Sequence, residues 1–168
     1  MVIEYDRWNW HTEGDFPKDQ MPEQGYVHIG MYLAWLIRQG MLDPDWVARS
    51  GVRRAVGAVS EGSETVTALR DMTDGALTSD MLSAEGMAFT SAYYAPEYGY
   101  SRDWRGVFGR RADRYDVPDE WETYKRIAPL IDRRHAEWVA AGKPELLPMP
   151  SLLPGWLAFW RTKPRRPR

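Results

Sequence analysis

The sequence predicts a mostly α fold: a compact single-domain bundle of about five helices, with an irregular N-terminal segment and an extended Pro-rich C-terminal tail. Three observations predict it. Apolar residues recur at three- and four-residue spacing in several stretches. Gly, Pro and Asp stand between those stretches, where helices start and stop. No set of alternating apolar and polar residues marks a sheet, and one short strand within 2–8 is all the pattern allows. At 168 residues a single domain is expected, helical over 1–142, with an extension at 143–168 packed on or trailing from it.

Gly14, Pro17 and Pro22 punctuate residues 1–23, which read as irregular. Over 24–41 the chain is apolar almost all round a helix, the mark of a central helix, and Gly40 stops it. Asp43 caps the next helix and Pro44 suits its first position. Val52, Ala55, Val56 and Val59 then form one buried stripe. Ser63 is expected to cap a third helix over about 64–71, with Val66 and Leu69 inward. After a turn at Asp74 and Gly75, Ser79 and Asp80 open a helical segment whose face is Leu82, Ala88, Phe89, Ala92 and Tyr93. Residues 96–117 carry a poor pattern, with a short helix around 104–111. Pro118, followed by Asp119, Glu120 and Glu122 at the positive end of the dipole, begins the last helix. It continues through Trp121, Tyr124, Ala128, Ile131, His135 and Trp138 and ends at Gly142. Six prolines after residue 143 make this end mostly extended or looped, and Leu152, Leu153, Trp156, Leu157, Phe159 and Trp160 are expected to strap it onto the body.

Composition narrows the chemistry. The absence of Cys removes disulfides, thiolate zinc sites and Cys nucleophiles together. No basic-then-apolar leader opens the sequence, and no apolar run reaches the roughly 20 residues a bilayer needs. A cytoplasmic protein with no membrane partner is expected. Charge is uneven: residues 1–100 sum to 7 − 15 = −8 and residues 101–168 to 15 − 9 = +6. An acidic first part suits a basic partner, although the two parts can also satisfy each other.

No Gly-x-Ser-x-Gly elbow, phosphate loop or dinucleotide fingerprint is present, so no catalytic residue, metal or cofactor is assigned. The first expectation is a protein that binds another. Asp6, Trp8, Trp10, His11, Glu13, Asp15 and Phe16 are the candidate partner-binding residues. Aromatic side chains dominate interface hot spots, and carboxylates around them steer a basic partner. The same aromatics can instead staple the segment to the core.

An alternative is a metal-dependent enzyme. In an extended segment His11, Glu13 and Asp15 share one face, where an imidazole and two carboxylates can hold a divalent ion or move protons. His28, in the central helix, is either a core histidine with one hydrogen-bond partner or a ligand shared with His11. A third reading is a nucleic-acid accessory protein, resting on five cations in the last eight residues.

One ordered set of residues carries a resemblance. It comprises Tyr5, Asp6, Trp10 and His11, then Gly14-Asp15-Phe16-Pro17, then His28-Ile29-Gly30-Met31 with Trp35. Glu85, Gly86, Ala88 and Phe89 follow with Tyr93 and Tyr94, then Trp121 and Tyr124, and Ile131-Asp132-Arg133-Arg134 with Trp138. Over 5–138 this resembles a group of uncharacterised, mostly helical bacterial proteins that look like immunity proteins of toxin systems. The resemblance implies a partner, a cognate protein toxin, neutralised by covering its active site. It assigns no catalytic residues.

Overall fold

A helix that is apolar on every side must be surrounded, and α1 (Val27–Arg38) is. Every residue from Ile29 to Ile37 is buried. In the computed structural model, which describes residues 1–13 and 16–148, α3 (Val52–Glu61), a 3₁₀ turn at Val66–Leu69 and α7 (Trp121–Ala140) pack against α1. Trp35 locks two of these together, its indole N–H donating to Asp132 of α7 at 2.8 Å. Phe89 and Trp138 close an aromatic layer against Trp35, with ring centroids 5.4 Å apart in each contact with Phe89. Asp15 and the expected strap from Leu152 to Trp160 lie outside the described residues.

The remaining elements follow from local signals. Asp43 accepts from the Trp46 N–H and caps α2 (Pro44–Val47), as the sequence predicts. The expected single helix after Pro44 is two, because Gly51 takes φ +84° and breaks the run before α3. The expected helix at 64–71 is instead two 3₁₀ turns, Val66–Leu69 and Asp71–Thr73. Ser63 does not cap the first of them; Asp119 does, accepting from the N–H groups of Val66 and Thr67. Asp119 is thereby drawn away from α7, which starts three residues after Pro118.

Two short strands, β1 (Glu4–Arg7) and β2 (Ala76–Thr78), pair antiparallel, Asp6 opposite Leu77 and Arg7 opposite Ala76. The register shifts between Glu4 and Asp6, and such bulges re-aim side chains. Asp6 is the one buried residue of β1. Downstream, Ser83 caps α4 (Ala84–Phe89), which widens into a π turn at Thr90–Tyr94. Then come α5 (Tyr100–Phe108) and α6 (Arg110–Asp113).

One buried ion pair ties α5 to α7. Asp103 and Arg134, each under a tenth exposed, meet through two hydrogen bonds of 2.7 and 3.1 Å, and the Tyr93 hydroxyl donates to the same carboxylate. Removing one partner strands the other charge, at a cost of about 3–5 kcal/mol, whereas replacing both with apolar residues is often close to neutral. Arg134 also pairs with Glu137 at 2.8 Å, so it is Arg134→Ala, which leaves the buried Asp103 without its cation, that is expected to lower the urea midpoint sharply, and the Asp103→Leu/Arg134→Met double variant to recover most of the loss. Equal losses in both proteins would contradict this account of the pair.

Candidate functional site

The buried carboxylate of Asp6 gathers donors from four parts of the chain. His11, at the end of the 3₁₀ turn Trp8–His11, places Nε2 at 2.6 Å from Oδ1. His28, in the first turn of α1, places Nε2 at 3.2 Å from Oδ2. The Tyr94 hydroxyl donates to Oδ2 at 2.6 Å, and the Arg7 N–H to Oδ1 at 2.8 Å. The two imidazole rings meet edge to face with centroids 4.4 Å apart. Farther out, the Tyr115 hydroxyl lies 3.3 Å from His11 Nδ1, and the Tyr100 hydroxyl donates to the His28 carbonyl.

Electrostatics follow from this arrangement. Burial alone would raise the Asp6 carboxyl, but the hydrogen bonds and charge of His11 and His28 outweigh it and hold the group well below the usual carboxylate range. Burial pulls His28 down, against the opposing pull of Asp6, so the neutral imidazole is favoured there. Burial and the Asp6 charge push Tyr94 far up, which keeps its phenol a donor. An ionised carboxylate only accepts, so both Nε2 atoms carry the proton toward it. Arg7 turns away from Asp6 to Glu4 and Asp74.

Both imidazoles line a cleft of about 330 Å³ between the N-terminal segment, α1, α5 and α6. Val27, Trp104, Ala112 and Val117 supply apolar wall; Gln24, Ser101, Arg105 and Asp113 supply polar groups. Tyr115 stands at the same wall, with the Phe16 ring 5.2 Å from its own. With its nitrogen turned to the 115–117 segment, the Gln24 amide donates to the Val117 and Tyr115 carbonyls and pins that wall.

Chemically the arrangement offers two things. His11, oriented through Nε2 by a carboxylate, presents Nδ1 beside Tyr115, which is how a general base is held. Two imidazoles and a carboxylate, with their donor atoms all within 4.8 Å of one another, are also a set that can hold a metal ion.

Residues 4–117 match the family model described as Domain of unknown function (DUF7832). This chain belongs to the DUF7832 family. No curated protein and no solved structure matches the chain. Asp6, His11, His28, Tyr94 and every residue lining the cleft lie inside the DUF7832 span, whereas α7 lies beyond it. Among the described residues no helix is long and apolar enough to cross a membrane.

Of the seven residues singled out in the sequence as partner-binding, the six that are described take different places. Asp6 faces inward and His11 is half-buried against it. Trp8 packs over Gly75, which takes φ +65° and has no room for a Cβ, since one would stand 1.9 Å from the indole. Phe16 rests on Tyr115. Trp10 and Glu13 are exposed, Trp10 at 54%. His11 ends the 3₁₀ turn and its imidazole meets Asp6 and His28, whereas Glu13 is exposed and Asp15 lies outside the described residues. The sequence left His28 as either a core histidine or a ligand shared with His11, and did not point to Tyr94 and Tyr115, whose links span 88 and 104 residues.

Tyr94→Phe removes one donor to a buried charge and is expected to destabilise the fold by roughly 1.5–3 kcal/mol in chemical denaturation. An unchanged midpoint would mean that the phenol contributes nothing to holding Asp6.

Proposed function

We propose that this chain works as an enzyme-type small-molecule protein, which takes a compact ligand into the cleft and acts on it through the Asp6–His11–His28 centre. One observation carries the reading: a single buried carboxylate orients two imidazoles, and both line the same cleft. At about 330 Å³ the cleft falls at the small end of the range for small-molecule sites. Its mixed walls suit a ligand with an apolar body and a few polar groups, held beside the imidazoles.

The rim residue Ser101 gives the test, because it is exposed and makes no contact with the centre. Ser101→Trp is expected to fill the cleft and leave the fold intact. A fragment collection screened by saturation-transfer NMR is expected to yield ligands that bind the wild-type chain and lose their signal with Ser101→Trp. Ligands indifferent to both Ser101→Trp and His11→Gln, or no ligands at all, would remove the proposal.

A second reading, a toxin-binding immunity protein, is favoured by the outward Trp10 with exposed Glu13 nearby, and by the resemblance of the sequence. Under it, Trp10→Ala would abolish recovery of a stable basic partner from the native host. A complex that survives Trp10→Ala and Glu13→Lys would count against this face.

A further inference from the structure

We infer that Asp6, His11 and His28 form a site for one divalent first-row transition ion, bound beside the cleft. The inference deepens the cleft reading and rests on it. Three features carry it. The first is the donor set: two imidazoles and one carboxylate, the combination that transition ions take with coordination positions left open. Imidazole nitrogen selects such ions over calcium and magnesium, which prefer oxygen throughout.

The second feature is spacing. A tetrahedral ion about 2.0–2.2 Å from each ligand sets its donors roughly 3.3 Å apart. Here the two imidazole nitrogens already lie 2.6 and 3.2 Å from the Asp6 oxygens, and no pair of donor atoms exceeds 4.8 Å. Small rotations of the rings, within a site already assembled, bring all three to an ion.

The third feature is the set of groups behind the donors. A metal-bound imidazole donates its other N–H to an outer partner, which fixes the ring and its tautomer. For His11 that partner stands ready: the Tyr115 hydroxyl faces Nδ1 at 3.3 Å. On Asp6 the Tyr94 hydroxyl and the Arg7 N–H hold the carboxylate in place. The Tyr100 hydroxyl fixes the backbone of His28 through its carbonyl. Charge agrees with this assignment. Among the described residues, the ion-pair partners of Asp6 are the two imidazoles, whereas the other buried carboxylate, Asp103, is neutralised by Arg134. Three protein ligands leave at least one position for water or for a ligand group, the arrangement of a catalytic ion rather than a structural one. His11, with its side chain 26% exposed, gives the ion a way in.

The tag-free chain, stripped with a chelator, is titrated with Zn²⁺ by calorimetry and with Co²⁺ by visible absorption. One saturable site per chain is expected. His28→Gln removes a ligand and is expected to weaken binding by more than about 100-fold, and Tyr115→Phe, a supporting group, by about 10-fold. Should His28→Gln fail to fold by circular dichroism, His11→Gln, at a more exposed position, carries the same expectation. Ser101→Trp is expected to bind the ion normally while losing cleft ligands. That result separates the two claims: ion binding with no cleft ligand overturns only the cleft reading. Cleft ligands with no saturable ion site, or ion binding unmoved by the histidine variants, overturns the metal assignment.

Discussion

A carboxylate nearly sealed from water costs several kcal/mol unless donors surround it, and Asp6 is such a carboxylate. Its four donors come from β1, the 3₁₀ turn after it, the first turn of α1 and the π turn. Asp6 ties these four places to one point, in addition to the β1–β2 pairing and the packing of Tyr94 on Tyr32 and Tyr100. The charge therefore fixes where the N-terminal segment docks, which ring nitrogens face each other and how the start of α1 meets the end of α4. The position of the cleft follows, because His11 and His28 line it.

The π turn at Thr90–Tyr94 makes the second half of this arrangement. Adjacent residues on an ordinary helix point about 100° apart, so both cannot reach inward with equal ease. Here Tyr93 and Tyr94 are both buried, and each donates to a different carboxylate, Asp103 and Asp6. Widened turns of this kind occur often at functional sites. The two carboxylates then differ in an informative way. Asp103 is answered by a guanidinium that never titrates in the useful range, which suits a structural pair. Asp6 is answered by imidazoles, which can exchange a proton or take a metal.

Much of the helical frame was legible in the sequence, and the reasons are local. The apolar circumference of α1, the Asp43 and Pro44 start of α2 and the periodic face of α7 each depend on residues close in the chain. What escaped depends on distant residues. β2 spans three residues, too few to show alternation, and pairs with β1 some seventy positions away. Asp119 looked like part of a helix start because its neighbours are Pro118 and Glu120, yet its carboxylate caps a turn fifty residues earlier. The candidate site was half visible. Asp6, His11 and His28 all drew notice, but the first was grouped with aromatics and the second with Glu13. Only the turn at Trp8–His11 turns the imidazole inward, and nothing in the local spacing announces a 3₁₀ turn.

The measurement that bears most directly on this account is the protonation of the histidine ring nitrogens, read by long-range ¹H–¹⁵N NMR on the metal-free chain near neutral pH. If Asp6 holds both imidazoles, His11 and His28 each show a protonated Nε2, because an ionised carboxylate can only accept. A spectrum with the proton on Nδ1 of either ring, or with both rings exchanging freely between tautomers, would contradict the carboxylate-centred site on which the rest is built.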